Sequence, residues 1–251
     1  MSAIGANMDE LPEGLPSYFE PVRRLGEGGM GIVWSVHDTR INRIGALKVI
    51  RHKPGLTSVA VTRFEREIRN FAQLIHPYIV QVYDVGQMTT GDPYIFMEQV
   101  NGQPLCAGCL LGHTFDEIMV LLDNILEALG EAHAHGLIHR DLKPDNIMIT
   151  NENGDPHFVK VLDFGLAALT DRAKITMSGQ ALGTPWYMSP EQATASAVSF
   201  SSDIYSLGCI LYELATSKPP FPGNRPFNVM MQHVNAQVPP MITRPEAEIS
   251  A

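Results

Sequence analysis

Cysteine is scarce: Cys106, Cys109 and Cys209 are the only three in 251 residues. So small and odd a number cannot build a disulfide framework, and it predicts a reducing compartment. Charge is modest too, at 18% of residues, with 18 Lys and Arg against 27 Asp and Glu for a net charge of −9 with histidine neutral. A chain this acidic lacks the basic face that general nucleic-acid or anionic-membrane binding requires, so neither is expected as a partner. No apolar run approaches the roughly 18–20 residues of a membrane-spanning helix. Asp9, Glu10 and Glu13 follow Met1 without the basic-then-apolar layout of a secretion signal. A cytoplasmic protein without a membrane segment is the expectation. Internal repeats and low-complexity blocks are also lacking. Apolar side chains are not: 45% of residues are hydrophobic, enough for a globule that buries roughly three-quarters of its unfolded surface.

Residues 1–17 are rich in Gly, Pro and acidic residues without periodicity and read as a loose leader, with order beginning near Tyr18. Two apolar runs with β-branched residues, 31–36 and 45–50, predict antiparallel strands, and 79–83 and 94–97 predict two more. Phe64, Ile68, Phe71 and Leu74 recur at helical spacing and predict an amphipathic helix over 61–74. The polar stretch 101–104 suits a linker between a smaller, strand-rich lobe and a larger helical one. The most helical stretch is 115–135, with Ile118, Leu121, Leu122, Ile125, Leu126 and Leu129 on one stripe, and 203–216 is a second apolar helix. Cys106-x-x-Cys109 has no second pair, and His133 and His135 flank a Gly136 stop, so neither group is read as a metal or redox site.

Four segments carry chemistry. Gly26-Glu-Gly28-Gly29-Met30-Gly31-Ile-Val33 fits G-x-G-x-x-G-x-V, in which missing side chains let backbone amides approach phosphate oxygens. A dinucleotide fingerprint would need a helix after the glycines, and here a strand follows, which favours a nucleotide-covering hairpin. Lys48 stands in an apolar strand, where an unpaired charge is costly. Glu67 on the amphipathic helix is the proposed partner, with Glu65 as the alternative. His139-Arg-Asp141-Leu-Lys143-Pro-Asp-Asn146 packs a base, a cation and an amide into eight residues. Asp141 can accept a hydroxyl proton, Lys143 can neutralise a transferring phosphoryl group, and Asn146 can offer an amide oxygen to a hard divalent ion. Asp163-Phe-Gly165 supplies a second metal handle, since Mg²⁺ prefers one or two carboxylates plus substrate phosphates.

Together these residues resemble the bacterial Hanks-type (eukaryotic-like) serine/threonine protein kinases, over about residues 18–240. Gly183-Thr184-Pro-Trp-Tyr-Met-Ser189-Pro-Glu191-Gln192 looks like that family's substrate-docking and A-P-E segment with Ser for Ala. Asp203-Ile-Tyr-Ser-Leu-Gly208 looks like its central helix, whose Asp braces the catalytic loop backbone.

The resemblance implies an α+β, bilobal protein-kinase-like fold. A small antiparallel β-sheet N-lobe with one key helix would span about 18–100. A larger, mainly helical C-lobe would span about 101–251 and lack its last helices. It implies ATP and Mg²⁺, with Mn²⁺ as an alternative ion, and protein substrates bearing Ser or Thr. Leu25, Gly26, Glu27, Gly28, Gly29, Met30 and Gly31 would cover the nucleotide. Val33, Ala46 and Met148 would sandwich its base, Met97 would guard the back pocket, and the backbone at Glu98 and Val100 would bond the base edge. Lys48 and Glu67 would pair, Thr184 would help position Asp141 and Lys143, and Asn146 and Asp163 would hold the metal. Phe71, Val82, His139 and Phe164 would stack as an internal column, which makes His139 structural. Thr176 and Ser178 resemble paired autophosphorylation sites, whose phosphate Arg140 could meet, and self-association for trans-autophosphorylation would follow.

One departure from the family pattern concerns Glu191. Arg225 and Arg244 are the arginines downstream of it, and neither stands where its usual partner is expected. The expectation is a C-terminally shortened lobe with Glu191 lacking its usual arginine partner and an apolar face of the 203–216 helix uncovered. A catalytically idle scaffold is the alternative function, which the presence of Lys48, Asp141, Asn146 and Asp163 argues against. A small-molecule phosphotransferase would have no need of Thr184 or the Ser189–Glu191 segment.

Overall fold

Strands buried along both faces form the middle of the first sheet: residues 45–50 of one strand and 93–97 of its neighbour are buried without a break. A computed structural model describes residues 13–28, 31–50, 68, 71–106, 114–152, 154–164 and 185–241. Five strands, β1 (Phe19–Gly28), β2 (Gly31–Asp38), β3 (Arg43–Ile50), β4 (Val82–Gln87) and β5 (Pro93–Met97), pair antiparallel in the order β1-β2-β3-β5-β4. Trp34 stands opposite Leu47, and Leu47 opposite Phe96. These three join Phe19, Val36 and Tyr94 in one buried cluster. Because side chains alternate across a strand, the neighbours in the same registers face the other way. Val33, Lys48 and Ile95 form one such row, and Ser35, Ala46 and Met97 the next.

The chain divides into two compact units, Met1–Ile75 with Val80–Gln99 and His76–Ile79 with Val100–Ala251. The first holds the five-stranded sheet together with buried Ile68, Phe71 and Leu74. At the sheet's turn end Arg40 bonds buried Asp38 through Nε (3.1 Å) and Nη2 (2.7 Å), reaches Asp84 at 2.7 Å and lies 3.7 Å over the Tyr18 ring. The Arg40 guanidinium holds the Asp38 carboxyl below its ordinary range.

The second unit contains a three-stranded sheet, β6 (Gly102–Pro104), β7 (Ile147–Glu152) and β8 (Asp155–Val161). Helix α1 (Phe115–Ala134) opens with a capping box in which Thr114 Oγ1 accepts from Glu117 N–H and Glu117 accepts from Thr114 N–H. It buries two adjacent i,i+4 rows, Leu121-Ile125-Leu129 and Asn124-Ala128-Ala132. Just past its end, Gly136 takes the left-handed conformation (φ 73°). Three further helices follow, α2 (Pro190–Ala193), α3 (Phe200–Thr216) and α4 (Pro226–Asn235).

Several expectations need correction. The run at 79–83 is not one strand: Ile79 bridges Val161 in the second unit, Val161 N–H bonds Tyr78 O at 2.8 Å, and β4 starts at Val82. The polar break at 101–104 contains β6, which exists because its backbone pairs with β7 and not because of any apolar pattern. Leu126 is 44% exposed, since the buried rows of α1 run through alanines that a hydrophobic-stripe reading underweights. Cys106 is disulfide-bonded, a single crosslink where none was expected, and Cys209 is a free buried thiol whose pKa burial pushes up to about 12. Among the described residues no helix is long and apolar enough to cross a membrane. The proposed 61–74 helix lies mostly outside the described residues.

Candidate active site

The segment after α1 is held almost atom by atom. His139 is fully buried; its Nε2 donates to Leu162 O (2.8 Å) and its Nδ1 accepts from Asp141 N–H (3.2 Å). With both ring nitrogens engaged, the imidazole shapes the loop instead of abstracting a proton. Its ring packs on Phe164 with centroids 4.6 Å apart. Asn146, also buried, donates through Nδ2 to Asp141 O at 2.8 Å. That bond orients the carboxamide and leaves Oδ1 as its acceptor end. Lys143 Nζ stands 3.5 Å from Asp141 Oδ2.

Asp203, 1% exposed on the first turn of α3, braces this loop. Its Oδ2 accepts from His139 N–H and its Oδ1 from Arg140 N–H, at 2.8 and 2.9 Å. His133 Nε2 is 2.8 Å from the same Oδ2, and its ring stacks on Phe200. Arg140 needs such support because it is left-handed (φ 64°), a conformation costly for a residue with a side chain. Asp163 has the same strain (φ 63°). Two of the five described non-glycine residues with positive φ thus fall on the two motifs read as chemical.

The segment 185–192 packs against the same loop. Ser206 Oγ donates to Tyr187 O at 2.7 Å, the Tyr187 hydroxyl donates to Glu213, and Trp186 Nε1 donates to Gly223 O at 3.2 Å. Burial, helped by Glu213, raises the Tyr187 pKa and keeps its hydroxyl a donor. Asp141, Lys143, Tyr187, Met188 and Gln192 line one pocket. A profile of the family described as "Protein kinase domain" matches residues 19–249. The chain belongs to that family.

Two bacterial proteins are among its similar relatives. The chain is 40% identical over 233 residues to the serine/threonine-protein kinase pkn3 of Myxococcus xanthus, covering 90% of this chain and 43% of that protein. It is 42% identical over 240 residues to the serine/threonine-protein kinase PknB of Mycolicibacterium smegmatis, covering 91% and 37%. The chain therefore spans about two-fifths of the length of these relatives.

Most of the remaining residues singled out in the sequence lie in the first unit, with Val100 and Met148 in the second. Gly28 and Gly31 close the β1–β2 hairpin, and Gly26 stands opposite Val33. Gly31 is required by packing, because a Cβ there would lie 1.9 Å from Val49 O. Among the described residues Gly26 and Gly28 are not, since a Cβ on either meets none of them within 4 Å. Leu25 occupies the irregular position between Arg24 and Gly26, and Glu27 pairs with Arg24. Lys48, 8% exposed, shares the sheet face of Val33, Ala46 and Met97. Glu98 N–H bonds Gln81 O at 2.9 Å, and the first unit passes to the second between Gln99 and Val100. Met148 stands on β7 opposite Lys160.

Gly29, Met30, Glu67, Thr176, Ser178 and Thr184 lie outside the described residues. Glu191 Oε1 accepts from Ser202 Oγ at 2.9 Å, so a hydroxyl on α3 holds the carboxylate for which an arginine was sought. Phe200 and Ile204 on the same helix are 44% and 49% exposed. The side chain that reading by motif missed is Gln192, which bonds Arg140 O at 2.6 Å. Its signal was present as S-P-E-Q, a Ser-x-x-Gln capping box.

Proposed function

We propose that the chain is a serine/threonine protein kinase domain that transfers the γ-phosphoryl group of ATP to protein hydroxyls. The observation that carries this reading is the Asp141 loop. A carboxylate beside Lys143 is held on a backbone that Asn146, His139 and Asp203 each bond. Phosphoryl transfer asks little covalent chemistry of a protein and much positioning, which such a loop supplies. Asp141 orients the incoming hydroxyl and accepts its proton, while Lys143 offsets charge on the group in transit.

Lys48 and the backbone of the β1–β2 hairpin bind the phosphates. The open space beyond Gly26 and Gly28 supports this, because the protein's own packing does not demand glycine there. Leu25, Val33, Ala46, Met97 and Met148 take the base, with the backbone at Glu98 and Val100 reading its edge. Glu67 pairs with Lys48, and Thr184 steadies Asp141 and Lys143. Asn146 Oδ1 and the Asp163 carboxylate fit a hard divalent ion, Mg²⁺ or Mn²⁺, which when bound neutralises phosphate charge. Among the described residues no group of three or more His, Cys, Asp or Glu could hold a metal, and an ion that draws its other ligands from phosphates and water needs none. Activation would follow autophosphorylation at Thr176 or Ser178 between associating copies in the cytoplasm, the phosphate pairing with Arg140.

Intact-mass spectrometry after incubation with Mg-ATP tests this reading, comparing the chain with Asp141→Asn. Stepwise phosphate gain in the parent, lost in the variant and mapped to Thr176 or Ser178, is expected. A folded, ATP-binding parent that gains no phosphate would instead be a kinase-fold scaffold.

A further inference from the structure

We propose that Gln192 is a positioning residue that couples the substrate-docking segment to the catalytic loop by clamping the carbonyl of Arg140, the residue before Asp141. The proposal rests on the kinase reading above. One carboxamide does two jobs. Its Oε1 accepts from Ser189 N–H at 3.0 Å, and its Nε2 donates to Arg140 O at 2.6 Å across 52 residues of chain. Gln192 is the third residue of α2, and its own N–H bonds Ser189 Oγ at 3.4 Å to complete a reciprocal capping box. Ser189 is fully buried, so the box is an internal joint and not a surface cap.

Arg140 is where such a clamp has most effect. The two peptides flanking its Cα are each held, the preceding one by Asp203, which accepts the Arg140 N–H, and the following one by Gln192, which donates to the Arg140 carbonyl. Between these two bonds the residue keeps its left-handed φ. That carbonyl belongs to the peptide whose N–H is Asp141's own, so its tilt sets the direction in which the Asp141 side chain leaves the backbone. The docking segment from Pro185 to Ser189 is tied to the same point through the capping box. Correct seating of a substrate segment and correct aim of the base are thus mechanically linked. The Ser at 189 matters here: an Ala at that position would lack the hydroxyl that fixes Gln192 N–H, and with it half of the joint.

Gln192→Glu separates the two jobs. Glutamate is a standard third residue of a capping box and keeps the acceptor for Ser189 N–H, but it has no donor for Arg140 O and sets a carboxylate against a carbonyl. Three readouts on the whole chain decide the matter: the melting temperature, kcat and KM for ATP in peptide phosphorylation, and amide hydrogen exchange over residues 139–142. The expected result is a kcat lower by about ten-fold or more, since small misplacements of reacting groups cost that much. KM for ATP should stay as in the parent, the melting temperature should fall only by the few degrees that one lost hydrogen bond is worth, and exchange over 139–142 should be faster. Unchanged kcat and exchange would overturn the proposal, as would a fall in melting temperature that tracks the loss of activity. If the parent itself transfers no phosphate the kinase reading fails, whereas the exchange comparison still decides whether Gln192 holds the loop.

Discussion

Asp203 Oδ1 accepts the backbone N–H of Arg140 at 2.9 Å, joining the first turn of α3 to a loop 63 residues away. The same carboxylate takes His139 N–H and His133 Nε2, so three donors converge on one buried side chain. Asp203→Asn keeps a single acceptor oxygen and turns an amide donor toward groups that already donate. The variant should lose about 2–3 kcal/mol of stability, the cost of leaving buried donors to a charged partner unmet. Urea denaturation measures this. Peptide phosphorylation should fall further than the stability loss accounts for, because the loop it frees carries Asp141.

Glycines of one motif should respond in opposite ways. Gly31→Ala drives a Cβ into Val49 O and should destabilise the five-stranded sheet by about 1–3 kcal/mol. Gly28→Ala meets none of the described residues within 4 Å, so its melting temperature should stay close to the parent's. Its KM for ATP should nevertheless rise, since the added methyl occupies space assigned to the phosphates. Thermal melts paired with ATP titrations separate the two. A Gly28→Ala chain with unchanged ATP affinity would count against a phosphate-covering hairpin.

Acid should weaken the second unit through His233. This side chain is 4% exposed on α4, accepts or donates at 2.8 Å with Tyr205 Oη and packs edge-on against Phe221. Burial lowers its pKa below the ordinary 6.5, an effect that the backbone of Pro185 and Trp186 partly opposes. The unfolded chain therefore binds a proton that the folded chain resists, and stability contributed above about pH 6.5 is lost as pH falls through the lowered value. Denaturant midpoints measured from pH 7.5 to 5 should decline over this window. His233→Gln should flatten that part of the decline while leaving the carboxylate-driven loss at lower pH in place.

Local chemistry made much of this protein legible in one dimension. Glycines ahead of a strand, a lysine inside an apolar run, and His139–Asn146 followed by Asp163 make up the set proposed above for phosphoryl transfer, because each residue type has few other uses at such spacings. The strands β2, β3 and β5 and the helices α1 and α3 were equally readable, the strands as short apolar, β-branched runs buried almost throughout and the helices from apolar spacing near 3.6. Tertiary structure alone decided the rest. Residues 102–104 became a strand because β7 offered a partner, and Ile79 parted from Val82 because Val161 claimed it. Leu126 faces outward because the packed rows of α1 were completed by alanines. Glu191 found Ser202, and Gln192 found Arg140, 52 residues away. Such partners depend on which hydrogen-bonding groups folding strips of water together, and a pairing across that much chain leaves no periodic trace in sequence.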